Sequence, residues 1–225
     1  MISNNLFSLK GKTALVTGGS TGIGLMATVG LVSAGAKVFI VSRKLENCQN
    51  AAEELNNYDF EGEVIPFRGD LSSETGISDI TDEIYAQNSE LHILVNNAGR
   101  TWGSDLSSFP YEAWAKVLNL NVSAIFYLTQ KLVPLLAASS KSDFPSRVVN
   151  IGSVMGEVPM GDGAYSYAAS KSAVHHITRI LAKELAERNI TVNALSPGPF
   201  QSNMTDFAIG DSKGTTRVSK RVPLN

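Results

Sequence analysis

The chain has 225 residues, 43% of them hydrophobic and 18% charged, with a formal net charge of −2. This balance excludes the polar, highly charged profile of a disordered chain, and it lacks the basic excess that a general nucleic-acid binder needs. The longest apolar run, near residues 132–138, is too short to cross a bilayer, and residues 1–12 show no basic-then-apolar leader.

Short apolar runs alternate with longer amphipathic ones. Residues 12–17 (KTALVT) read as a strand, 23–34 as a helix with Gly35 as its stop, and 37–42 (KVFIVS) as a second strand. A second helix is predicted over 45–55, a third strand over 64–67 and a third helix over 75–85. Residues 91–96 (LHILVN) read as the fourth strand. One long helix follows over 111–138, with Pro110 at its first turn and Pro134 expected to kink it. The fifth strand is placed at 147–151, another long helix at 165–187 and the sixth strand at 191–195. Strands apolar on both faces and separated by helices predict a single, doubly wound parallel sheet of Rossmann type, with about six strands and helices on both faces. One domain over residues 1–225 is expected to bind a dinucleotide and carry the chemistry, with a loose polar tail over about 203–225.

The first strand runs into Gly18, Ser20, Gly22, Ile23 and Gly24, which open the first helix. Glycines allow close approach to a pyrophosphate, and a helix N-terminus offers N–H groups to the anion. The spacing is TGxxxGxG rather than GxGxxG, and a tight turn without a ligand is the plainer alternative. At the end of the second strand an acid would bind a ribose 2′-hydroxyl. Here Ser42 and Arg43 stand instead, which favours a 2′-phosphate and hence NADP(H) over NAD(H). A solvated surface arginine is the other reading of Arg43, and Thr21 supplies no second basic clamp.

Tyr167 and Lys171 lie four residues apart on one helix face, where an ammonium favours a phenolate. Ser153 follows the fifth strand and could hold a carbonyl oxygen; Asn96 and Asn97 end the fourth strand at the same edge of the sheet. Asn121 sits in mid-helix, an unfavourable place unless its side chain is used. Tyr165 competes with Tyr167 but has no lysine four residues on. His175 and His176 have no partners at metal spacing and read as packed or surface residues, so no metal site is expected. Cys48 reads as a plain helix thiol; being single, it can form no internal disulfide, and a reducing, cytoplasmic setting is expected. Trp102, Met155 and Phe200 either line a substrate mouth or simply pack.

The motifs TGGSTGIG, Asp70-Leu71, 96–99 (NNAG), Asn121, Ser153, YAASK and Pro197-Gly198 together resemble the short-chain dehydrogenase/reductase family over residues 9–202. LVNNAGRTWG and IGSVMG are similar to β-ketoacyl reductases of the rhamnolipid type in particular. The resemblance implies that Tyr167 gives a proton to the carbonyl, Lys171 lowers the pKa of Tyr167 and holds the nicotinamide ribose, and Ser153 orients the carbonyl. Asn121 would distort its helix and hold a water. Asp70 would bind the adenine, Asn97 would line the cofactor cleft, Leu71, Pro197, Gly198 and Phe200 would join the cofactor residues, and the Ser202 hydroxyl would reach the cofactor amide. The implied partner is a small carbonyl substrate, reduced with NADPH. An alcohol or polyol dehydrogenase of the same fold is the second enzyme reading, and a cofactor-binding product without turnover a third. Family members ordinarily continue into a further helix and a seventh strand, whereas this sequence stops at Asn225. An unpaired sixth strand, low stability and a weakened homo-oligomer are therefore expected.

Overall fold

A computed structural model describes residues 6–160 and 163–200. The strands are β1 (Thr13–Thr17), β2 (Lys37–Ser42), β3 (Glu63–Arg68), β4 (Ile93–Asn96), β5 (Ser146–Ile151) and β6 (Ile190–Leu195). Between them run α1 (Gly22–Ser33), α2 (Leu45–Asn56), α3 (Glu74–Gln87), α4 (Tyr111–Leu118), α5 (Ala124–Ser139) and α6 (Tyr165–Leu185). The sheet is fully parallel, in the order β3-β2-β1-β4-β5-β6. The chain starts in the middle, winds outward to β3, then returns to β4 on the other side of β1. That reversal opens a crevice at the carboxyl ends of β1 and β4, where ligands bind in this architecture.

Alternation along each strand builds two cores. Leu15, Phe39, Leu94 and Val148 point to one face and pack with Ile80, Leu128, Leu132 and Leu181 of α3, α5 and α6. Ala14, Val16, Val38 and Ile40 point to the other face and meet Val32, Cys48, Ala52 and Leu55 of α1 and α2. Pro66, which can donate no ladder hydrogen bond, is tolerated because β3 lies at the edge of the sheet. Among the described residues β6 pairs only with β5, and its Thr191, Asn193 and Leu195 are exposed.

The segment expected as one kinked helix differs from that expectation. It is α4, a π turn over Asn119–Ser123, then α5 running through Pro134 to Ser139. The irregularity falls at Asn121, thirteen positions before the proline, for a reason that belongs to the site. The whole run Tyr111–Ser139 is long and apolar enough, by length and composition, to cross a membrane, contrary to the reading of its shorter apolar core. Half of that apolar stretch is buried, with Leu128, Leu132 and Leu136 packed into the core.

Candidate active site

The turn after β1 closes tightly on the start of α1. Gly18 has φ 65°, a left-handed conformation suited to glycine. A Cβ on Gly24 would fall 2.1 Å from the Gly18 carbonyl oxygen, so only hydrogen fits there. Asn97 braces the same turn: its Nδ2 donates to Thr17 O at 2.9 Å and to Gly18 O at 3.1 Å. The N–H groups of Asn97 and Ala98 donate to Thr17 Oγ1 at 2.9 and 3.0 Å. Thr17 is thus a site residue that spacing did not reveal. Ser20 is buried and Ile23 half-buried. No side chain caps the N-terminus of α1, and its first turn carries no acid. The helix end therefore keeps its positive character for an outside anion.

At the end of β2, Ser42 Oγ donates to Lys44 O at 2.9 Å, and Cys48 Sγ approaches Ser42 Oγ at 3.2 Å. Arg43 is exposed beside it. Asp70, after β3, accepts from the Ser72 N–H at 2.9 Å and the Ser72 hydroxyl at 2.7 Å. These bonds hold its carboxyl below the usual range, with Arg43 and Arg68 adding to the effect and burial opposing it. Leu71, expected among the cofactor residues, follows Asp70 with its side chain packed into the core.

Ser153, Tyr167 and Lys171 meet at the carboxyl end of β5. Ser153 Oγ accepts from the Met155 N–H at 3.2 Å and lies near enough to the Tyr167 hydroxyl to act on its acidity. Lys171 is 4% exposed, donates from Nζ to Ile151 O at 2.6 Å, and lies 5.5 Å from the Tyr167 ring centroid. Burial pulls its amine down to about 8. Burial also pushes the Tyr167 phenol above its ordinary range, opposed by the Ser153 hydroxyl. The expected lowering of Tyr167 by the ammonium is therefore not realised here: Nζ is aimed at the Ile151 carbonyl, and desolvation prevails. Tyr165, the competitor, packs edge-on against Phe109 at 5.4 Å.

Asn121 is fully buried. Its Oδ1 accepts from the Arg100 N–H at 2.9 Å, and its Nδ2 donates to Arg100 O and Ser170 Oγ, each at 2.9 Å. The π turn delivers this amide to the loop after β4 and to α6 at once. Both amide donors are taken by protein, so the side chain acts as a clamp and has no hydrogen left to offer the expected water.

On the β6 side, Gly152 N–H donates to Leu195 O at 2.7 Å and Val154 N–H to Pro197 O at 3.1 Å. This ties the Ser153 segment to the Pro197-Gly198 turn, and a Cβ on Gly198 would meet nothing within 4 Å. Phe200 is exposed, while Ser202 and the expected tail over 203–225 lie outside the described residues. Trp102 and Met155 are half-buried, with Lys116 Nζ 5.9 Å from the Trp102 ring. Phe109 joins Trp114 at 6.0 Å to Tyr165, so aromatic surface gathers near the start of α6. His176 is exposed, but His175 is packed against the Ser153 turn, a placement that periodicity alone did not give. Among the described residues no group of three or more His, Cys, Asp or Glu could hold a metal ion. A separate surface cleft of about 430 Å³, between Leu71, Ile77, Val122, Phe126 and Ile177, contains none of Ser153, Tyr167 and Lys171.

A glycine cradle on β1, a Ser-Tyr-Lys cluster after β5 and this strand order define a class, and a family model for short chain dehydrogenases matches residues 12–211. The chain belongs to that family. It is 45% identical to the rhamnolipids biosynthesis 3-oxoacyl-[acyl-carrier-protein] reductase of Pseudomonas aeruginosa, over 97% of this chain and 84% of the relative. It is 33% identical to the 5-keto-D-gluconate 5-reductase of Escherichia coli K12, over 98% of this chain and 84% of the relative. A solved active-site complex of Pseudomonas aeruginosa RhlG with NADP superposes with a TM-score of 0.92 at 44% identity, covering 98% of this chain and 85% of that one.

Proposed function

We propose that the chain is an NADP(H)-dependent reductase that converts a ketone or β-ketoacyl group to the hydroxyl. The observation that carries the proposal is the gathering of Ser153, Tyr167 and buried Lys171 at the carboxyl edge of the sheet that also bears the glycine cradle, with Lys171 Nζ on Ile151 O and beside the Tyr167 ring. The cradle fits a dinucleotide: Gly24 admits no side chain, and the α1 N-terminus is left uncapped.

Gly18, Ser20, Gly22, Ile23 and Gly24 would hold the pyrophosphate, and Ser42 with Arg43 the 2′-phosphate. Asp70 and the backbone of Leu71 would meet the adenine, with Asn97 keeping the turn closed. Tyr167 and Lys171 would hold the nicotinamide ribose, and Pro197, Gly198, Phe200 and Ser202 the nicotinamide. When bound, the cofactor supplies the hydride. Ser153 Oγ holds the carbonyl oxygen, and Tyr167 gives its phenolic proton to that oxygen as negative charge builds there. A phenol raised by burial stays protonated at neutral pH, which suits a proton donor and favours the reducing direction. Asn121 fixes the loop after β4 against α6 and so keeps Tyr167 and Lys171 in register with the cleft. The aromatic cluster of Phe109, Trp114 and Tyr165 favours an apolar substituent on the ketone over a polyol.

The test is a fluorescence titration with NADPH and NADH, followed by turnover of a 3-oxoacyl thioester and of 5-keto-D-gluconate. Tight NADPH binding with faster thioester reduction is expected. Faster reduction of the sugar acid would favour the polyol reading, and absent NADPH binding would refute both.

A further inference from the structure

We infer that His175 is a positioning residue for this reaction: its Nε2 is the acceptor that fixes the Ser153 backbone N–H against the helix bearing Tyr167 and Lys171. The inference rests on the reductase reading given above.

His175 is 8% exposed and sits one turn after Lys171 on α6. Its Nε2 lies 3.3 Å from Ser153 N and 3.2 Å from Ser196 Oγ. The flanking N–H groups of Gly152 and Val154 are taken by Leu195 O and Pro197 O. The Ser153 N–H between them is buried, and the imidazole takes it. A backbone N–H can only donate, so Nε2 carries no hydrogen and the ring proton lies on Nδ1. Nδ1 faces Glu157 Oε1 at 3.4 Å, and the same carboxylate oxygen accepts from Ser196 Oγ at 2.8 Å. Lys171, one turn before His175 on the helix, aims its Nζ at Ile151 O.

The backbone is shaped around the ring. A Cβ on Gly152 would fall 2.0 Å from His175 Nε2, and one on Gly156 3.0 Å from its Cε1. Glycine on either side of the Ser153 turn thus lets the imidazole close onto the main chain. The ring packs between three parts of the site: the serine that would hold the carbonyl, the turn after β6, and the helix of the proton donor. Its effect on the reaction would pass through Ser153, where small displacements weigh heavily on rate.

Two substitutions separate positioning from packing. In His175→Gln the amide oxygen reaches the Nε2 position; in His175→Asn it stops near Nδ1. We expect His175→Asn to lower kcat for ketone reduction by about tenfold or more while the NADPH Kd stays within about threefold, with His175→Gln restoring kcat to within about threefold of the parent. Equal kcat losses in both variants, or full kcat in His175→Asn, would overturn the inference. Nitrogen NMR of the histidine-labelled parent chain decides the same point without a variant of uncertain fold. An unprotonated Nε2 on His175 is expected, and a protonated one overturns the inference. The NMR measurement needs no turnover, so a chain inert toward every ketone would refute the proposed function while His175 is still decided.

Discussion

Replacing Lys171 with methionine should make the protein more stable while abolishing turnover, and the stabilisation should reverse sign with pH. The amine falls from 10.5 to about 8 because it is buried. Below pH 8 the folded chain must hold a desolvated ammonium, a cost of about 3 kcal/mol at 1.36 kcal/mol per pH unit. Methionine fills similar volume without that charge. It also leaves Ile151 O without its 2.6 Å donor, a loss of about 1–2 kcal/mol. The net gain at pH 6.5 is about 1–2 kcal/mol, or roughly 3–6 °C in Tm for a chain of this size. Between pH 8 and 10.5 the unfolded parent keeps a proton that the folded parent has released, so parent stability climbs relative to the variant. Near pH 10.5 the burial cost is gone and only the lost hydrogen bond remains, so the variant should be the less stable of the two. Urea unfolding of both proteins at pH 6.5, 8 and 10 measures this directly. A variant that is less stable by the same amount at every pH would refute the reasoning.

Tyr167→Phe should remove nearly all carbonyl reduction and leave NADPH affinity close to the parent's, whereas Tyr165→Phe should stay near parental rate; steady-state kinetics with a binding titration separates the two. NADPH should bind at least about tenfold tighter than NADH, about 1.4 kcal/mol, and Arg43→Ala should erase most of that difference in paired titrations. Gly24→Ala puts a methyl 2.1 Å from the Gly18 carbonyl, so the cradle must open. Cofactor binding should be lost and stability should drop by about 1–3 kcal/mol in urea unfolding.

The parts legible in the sequence were those set by local pattern. The strand Lys37–Ser42 was bounded correctly because an apolar run sits between a glycine stop and a basic turn. Tyr167 and Lys171 share a helix face by simple spacing. The parts that stayed hidden depend on contacts between distant segments. Thr17 serves Asn97 across 80 positions, and His175 meets Ser153 across 22. Neither residue type at its own position announces such a partner. The motif that singles out Leu71 names a position along the chain and says nothing about which way the side chain turns, which is into the core. The π turn was half visible: an asparagine in mid-helix signalled a used side chain, but periodicity cannot register a single extra residue in one turn.

That wide turn divides the labour of the helix. A regular helix advances about 100° per residue, and steps of four drift past a full circle. Val117, Asn121 and Ile125 are spaced by four and all three are buried, on a face that a regular helix would also turn inward. Single π turns inside α-helices are frequent at functional sites. Ala113 and Val117 before the turn, and Leu128 and Leu132 after it, are buried and spend their side chains on packing. Asn121 spends its own on Arg100 and Ser170. The helix therefore holds its scaffold role and its site role in separable residues.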